Sequence, residues 1–255
     1  MPLEIVTIPC LSDNYAYLAH DPATGATAVV DVPEAAPVEA ALAERGWRLS
    51  DILITHHHQD HVGGVEALRD AHGARVVGAA ADAHRLPPLD LALGDGDSIS
   101  IGAATGRVLD VSGHTVGHIA YHFPDSGVVF TADSLMALGC GRVFEGTPEM
   151  MWASLSKLAA LPPETLVCSG HEYTAANGRF ALTIEPENAA LRARVAEVAV
   201  LRAEGRPTVP SRLSEELATN PFLRAGQDAV KRGVGMEGAP DADVFAEVRA
   251  RKDRF

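Results

Sequence analysis

The sequence predicts an α+β chain: two sheets with helices outside over residues 1–171, then a smaller all-helical domain over 172–255. Three observations carry this. Strand-like, helix-like and strand-like runs follow one another between residues 49 and 80, the order of a βαβ unit. Four further β-like segments follow between 97 and 133, divided by Gly and Asp turns, which suits a second sheet better than one continuous parallel sheet. After Gly170 the β signals fade, and runs rich in Ala, Leu, Arg and Glu take over.

Taken in order, "EIVTIP", "NYAYLAH" and "ATAVVDV" read as a meander, with Pro22 and Gly25 turning the chain between the second and third. "EAAPVEAALAERG" reads as a helix stopped by Gly46. "LSDILIT" is a buried strand, "GGVEALRDAHG" the helix after it and "ARVVGAA" the next strand. "DSISIG", "ATGRVLDVSG", "GHIAYHFP" and "GVVFTAD" form the second β set. "PEMMWASLSKLAALP" is a helix with Thr147 as its cap, and "TLVCSG" a short strand. "NAALRARVAEVAVLRAEG", "VPSRLSEELATNPFLRAG" and "DADVFAEVRARKDRF" supply the helical end.

Composition narrows the function. A hydrophobic share of 47% with 22% charged residues describes a packed globular chain, and no apolar run reaches the length of a membrane span. The N-terminal residues lack the basic region of a secretory signal, and three cysteines with no CxxC pair point to a reducing compartment; the expected location is cytoplasmic. A net charge of −13 opposes backbone-driven nucleic-acid binding while leaving room for a local basic pocket. No membrane, nucleic-acid or obligate protein partner is expected.

"THHHQDH" (55–61) follows an apolar strand directly. In extended backbone His56 and His58 point to one side and His57 to the other. Asp60 and His61 follow where the chain turns toward a helix. The motif thus offers two ligand sets, His56 with His58 and Asp60 with His61, of the imidazole and carboxylate type that suits zinc, iron or manganese. Three more polar residues stand at the ends of β-like runs: His114 in "VSGHTVGH", Asp133 in "VVFTAD" and His171 in "TLVCSGH". Strand ends are a rigid way to deliver ligands around an open coordination position. His20, His72, His84 and His122 read as packing or surface residues, and His118 stands close enough to His114 to support it. Ser112, Ser134 and Ser169 sit in no GxSxG elbow.

The motif and the order of His114, Asp133 and His171 resemble the metallo-β-lactamase superfamily. "SDNYAYL", "DILITHHHQDHVGG", "SGHTVGH", "TADSLMALGCGRVFEGT", "SGHEYTAAN", "TNPFLR" and "RARKDRF" are similar to segments of its glyoxalase II family, the hydroxyacylglutathione hydrolases, along essentially the whole chain. The resemblance implies an αββα sandwich followed by a helical substrate-binding domain, and two divalent metals, zinc first with iron or manganese as alternatives. His56, His58 and His114 would hold one metal and Asp60, His61 and His171 the other. Asp133 would bridge them, a role suited to a carboxylate with two oxygens to share. Asp31 would steady this edge of the sheet.

Two cations about 3.5–4 Å apart lower the pKa of a shared water, and a thiol of pKa about 8.5 leaves without a general acid. The implied reaction is hydrolysis of S-D-lactoylglutathione to D-lactate and glutathione, the second step of methylglyoxal detoxification, with Asp60 and Asp133 in the catalytic centre. The glutathione part would meet Arg142, Phe144, Tyr173, Arg249 and Lys252. Arg249 and Lys252, three apart, would share a helix face and clamp a carboxylate. Arg142 stands where many members carry lysine and Phe144 where they often carry tyrosine, so one hydrogen bond to the tripeptide is lost. Cys140 lies in the segment resembling the substrate loop, and Cys168 reads as strand packing. A sulfur dioxygenase of the same superfamily is the alternative enzyme, opposed by the complete second ligand set and the long helical end.

Overall fold

The computed structural model describes residues 1–255, and these form two compact units. The first comprises Met1–Val111 and Gly117–Ala132; the second comprises Ser112–Val116 and Asp133–Phe255.

The first unit holds two sheets. In one, β1 (Glu4–Cys10), β2 (Asn14–His20) and β3 (Thr27–Val30) run antiparallel, and β3, β4 (Leu49–Leu53), β5 (Arg75–Ala79) and β6 (Leu91–Leu93) run parallel. Parallel neighbours need crossovers; α1 (Ala35–Arg45) and α3 (Val65–His72) provide the first two, and the segment 80–90 joins β5 to β6. Both stop at a glycine in the left-handed region, Gly46 at φ 65° and Gly73 at φ 63°, where a Cβ would be strained. β2 and β3 are buried along their whole length, as are Ile52, Leu53 and Ile54 at the end of β4. The other sheet is the antiparallel meander β7 (Ser98–Ile101), β8 (Ala104–Asp110), β9 (Ile119–Phe123) and β10 (Val128–Ala132). The two sheets meet through apolar faces. Tyr17 packs on Phe130 at 5.9 Å between centroids, and the buried Tyr121 hydroxyl donates to the Ile54 carbonyl at 2.8 Å. A short helix, α2 (Gln59–Val62), interrupts the path from β4 to α3.

The second unit is mostly helical. It contains the hairpin β11 (Leu135–Met136)–β12 (Gly139–Cys140), α4 (Pro148–Ala159) and the antiparallel pair β13 (Leu166–Ser169)–β14 (Ser211–Arg212). Helices α5 (Thr174–Ile184), α6 (Ala189–Ala203), α7 (Leu213–Thr219), α8 (Asp228–Val234) and α9 (Asp241–Asp253) complete it. The Thr147 hydroxyl accepts from Met150 N at 3.2 Å and caps α4, as its sequence predicts. Phe180, Phe222 and Phe245 are fully buried among these helices.

Three helices have no counterpart in the sequence reading, α2, α5 and α8, and neither do the short strands β6, β11, β12 and β14. α5 carries Asn177 and Gly178 at its centre, both poor helix formers. Packing decides there: a Cβ on Gly178 would come within 2.8 Å of Val195 Cγ2 on α6.

Candidate metal centre

In the first unit the ligand motif is held by a network that begins at Asp31. This residue ends β3 with φ 55°, a left-handed conformation that aspartate tolerates better than most. Its Oδ1 accepts Thr55 N at 2.8 Å, and its Oδ2 accepts the Thr55 hydroxyl and His61 Nδ1, each at 2.8 Å. Because the Thr55 proton goes to Asp31, Thr55 Oγ1 accepts from His56 Nδ1 at 3.0 Å. One buried carboxylate therefore sets the tautomers of two histidines and leaves the Nε2 lone pair of each available to a metal. His56 Nε2 faces His58 Nδ1 at 3.1 Å, so the first predicted pair does converge. His61 Nε2 stands 3.9 Å from Asp60 Oδ2, bringing the second pair together. Asn14 Nδ2 donates to the Asp60 backbone carbonyl and to its Oδ2, both at 3.0 Å.

The histidines expected outside the centre lie outside it. His57 turns to Asp82, with Nδ1 3.5 Å from its carboxylate. His20 stacks on Trp47 at 4.0 Å, His72 meets Glu39, and His84 is exposed. His122 is buried in β9, and burial lowers its pKa. His118 stacks on His56 at 4.6 Å and 12°, so it supports the ring of a predicted ligand.

The second unit gathers the other three. His171 Nε2 and His114 Nε2 lie 3.2 Å and 3.5 Å from Asp133 Oδ2, and all three residues are buried. His114 Nδ1 donates to the Arg142 carbonyl at 2.8 Å, which leaves its Nε2 unprotonated in the neutral ring. A lone pair directed at a carboxylate over this distance is repulsive unless a proton or a metal cation stands between them, and two imidazoles with one carboxylate are a donor set that fits a divalent metal. Neighbouring contacts fix the rings. Tyr173 stacks on His171 at 4.7 Å and 8°, and Phe144 packs on His114 at 5.3 Å. Glu172 accepts Thr208 N at 2.9 Å and the Thr208 hydroxyl at 2.6 Å, anchoring the backbone beside His171.

The segment carrying His114 is set by close approaches. Gly113 lies against α4, where a Cβ would stand 2.6–2.8 Å from Met151 atoms. A Cβ on Gly141 would meet the Asp133 carbonyl oxygen and, at 2.9 Å, His114 Nδ1. The glycines of "SGH" and "GCGR" thus let the chain pass behind the ligands.

Among the predicted carrier residues, Arg142, Arg249 and Lys252 lie near one another in the same unit. Arg142, Phe144 and Tyr173 are exposed. Arg249 is buried: Nη1 donates to the Cys140 carbonyl at 2.9 Å, and Nε and Nη2 meet Asp253 Oδ1 at 3.1 Å and 2.9 Å. Lys252 lies over the rings of Phe180 and Phe255. Its pKa is lowered by burial and then by Arg249, Arg179 and Arg142, partly offset by Asp253. Arg179, on α5, is an addition to the group; nothing local in "NGRF" marks it. Thr55, Asn14 and Thr208 were also not singled out from the sequence.

A family model described as "Metallo-beta-lactamase superfamily" matches residues 15–171, and one described as "Hydroxyacylglutathione hydrolase C-terminus" matches residues 172–255. The chain belongs to the metallo-beta-lactamase superfamily and, within it, to the hydroxyacylglutathione hydrolase family. A hydroxyacylglutathione hydrolase from Cereibacter sphaeroides is 71% identical over 255 residues, all of both chains. One from Ruegeria pomeroyi is 66% identical over the same span. Among solved structures, ETHE1 from Myxococcus xanthus is 28% identical with a TM-score of 0.65, covering 99% of this chain and 98% of that one. The α+β class expected from the sequence is that of the family, a metallo-beta-lactamase domain followed by a helical C-terminal region. No helix is long and apolar enough to cross a membrane.

Proposed function

We propose that this chain is a glyoxalase II, hydrolysing S-(2-hydroxyacyl)glutathione thioesters, chiefly S-D-lactoylglutathione, in the cytoplasm. In this reading residues 1–171 form the catalytic domain and residues 172–255 the substrate-binding domain. His56, His58 and His114 would hold one metal and Asp60, His61 and His171 a second, with Asp133 available to both and zinc as the first choice. When bound, the metals supply an activated water and positive charge for the oxyanion that develops at the thioester carbon.

The chain's own residues prepare that chemistry. Asp31 and Thr55 keep His56 and His61 in the tautomer that presents Nε2, and the Arg142 carbonyl does the same for His114. Asn14 holds the Asp60 carboxylate in place. Arg142, Lys252 and the buried Arg249 supply positive charge for the carboxylates of the carrier, with Tyr173 and Phe144 offering ring faces beside His171 and His114. Phe144 lacks a hydroxyl, which costs a hydrogen bond of roughly 0.5–1.5 kcal/mol where a tyrosine makes one.

The observation that carries the reading is the Asp133 carboxylate facing two histidine Nε2 atoms in a chain whose full length matches named hydroxyacylglutathione hydrolases. The test is loss of thioester absorbance when the metal-replete protein meets S-D-lactoylglutathione, with release of free thiol followed in parallel. Turnover is expected; an unchanged thioester would refute the proposal.

A further inference from the structure

The hairpin Leu135–Cys140 joins Asp133 to Arg142, and side chains from three helices and one residue between helices grip its backbone residue by residue. Asn220 Nδ2 donates to the Met136 carbonyl at 3.1 Å and the Gly139 carbonyl at 2.9 Å. Asn177 Nδ2 donates to the Ala137 carbonyl at 3.1 Å. Glu216 Oε2 accepts Leu138 N at 2.9 Å, and Arg249 Nη1 takes the Cys140 carbonyl. Five consecutive residues, 136–140, are thus bound through the main chain by α5, α7, α9 and the Asn220 that follows α7.

The grip is itself braced. Glu216 is fully buried and also accepts from Arg194, from Ser211 Oγ at 2.6 Å and from Asn220 Nδ2 at 3.1 Å. At the tip, Leu138 sits at φ 56°, a left-handed conformation unfavourable for leucine, with its side chain buried against Ala181 and Leu191. A leucine persists there only because its surroundings over-determine it. At the open end, Gly141 N bonds to the Ser134 carbonyl at 3.2 Å, and a Cβ on Gly141 would strike both the Asp133 carbonyl and His114 Nδ1. Displacement of the hairpin therefore moves Asp133 and the Arg142 carbonyl that sets the His114 tautomer.

We infer that Asn220 and Glu216 are positioning residues for the metal centre: through the hairpin they fix the Asp133 carboxylate and His114, so the helical region sets metal affinity as well as holding the acyl carrier. This rests on the metal reading given above. Ligand geometry set by supporting contacts typically alters metal affinity by about 10- to 100-fold when lost.

The test compares Asn220→Asp with Asn188→Ala in the intact protein. The first keeps the size of the side chain but turns an oxygen toward two carbonyls and the Glu216 carboxylate. The second removes an amide that bonds to the Ala218 carbonyl at 3.0 Å and caps α6, making no hydrogen bond to the hairpin itself. Zinc affinity is measured by competition with a chromophoric chelator, alongside Tm, kcat and KM. Asn220→Asp is expected to bind zinc at least five-fold more weakly and to lose kcat, while Asn188→Ala loses Tm only. A zinc affinity within five-fold of wild type for Asn220→Asp, or an equal loss in Asn188→Ala, would overturn the inference. If Asn220→Asp does not fold, Asn177→Ala takes its place, with at least a two-fold loss expected and a smaller one contradictory. Wild-type protein that binds no zinc, iron or manganese would instead remove the metal reading itself.

Discussion

Asp31 accepts the Nδ1 proton of His61 at 2.8 Å while its backbone sits in the left-handed region at φ 55°. The same carboxylate holds the Thr55 hydroxyl that turns His56. Asp31→Ala would free two rings at once, and metal affinity should fall about 10- to 100-fold. Chelator competition checks this; an affinity equal to wild type would show that the network orients nothing.

The Lys252 ammonium is disfavoured by burial and by three arginines, so its pKa lies below the 10.5 of a free lysine. As pH rises through that lowered value the charge is lost, and with it attraction for a carboxylate. KM for the glutathione thioester should therefore climb on the alkaline side, earlier than a free lysine would dictate, with kcat nearly level. Lys252→Met should raise KM about 10-fold, the scale of one charge-assisted contact, and flatten that climb. A KM profile identical in both proteins would exclude Lys252 from the carrier site.

Burial pushes the thiols of Cys10 and Cys140 up to about 11, and that of Cys168 higher still. The thiolate is the reactive form, so all three should resist alkylation at neutral pH. Incubation of the folded protein with iodoacetamide is expected to leave thioester hydrolysis intact. Inactivation that tracks modification of Cys140 would contradict a mechanism without a thiol.

Gly64 passes so close to α1 that a Cβ would lie 2.6 Å from Ala35 N and 2.8 Å from Glu34 C. Neither backbone atom can move aside cheaply. Gly64→Ala should destabilise by about 1–3 kcal/mol and shift the short helix bearing Asp60 and His61. Gly73→Ala, with open space around its Cβ and a cost from φ 63° alone, should lose only about 1–2 kcal/mol and keep metal affinity. Denaturant melts of the two variants with metal titrations separate the outcomes.

Much of this was legible in the sequence because it depends on local pattern. "LSDILIT" announces a buried strand, and the period of two places His56 and His58 together with His57 turned away, as found. The stop at Gly46 and the cap at Thr147 are equally local. Asp31 stands at a strand end that suits a support, but its link to His61 spans thirty residues and no pattern near either reveals it. The hairpin grip is further out of reach: Asn220 and Leu138 look ordinary until folding brings buried polar atoms onto one turn. Arg249 and Lys252 lie three apart on α9, but their partners Cys140 and Phe180 are far off in the chain, so nothing in "RARK" shows them. Helix α5 is hidden in the sequence because Asn177 and Gly178 obscure its periodicity, although Asn177 is there to hold Ala137.

The proposed reaction needs two metal ions that share Asp133. Stepwise addition of zinc to metal-free protein, with S-D-lactoylglutathione hydrolysis read at each step, tests it most directly. Activity should rise until two equivalents are bound, and Asp133→Asn should fail to hold the pair and lose that activity. Full activity at a single equivalent, or an Asp133→Asn protein that binds both ions and turns over normally, would contradict it.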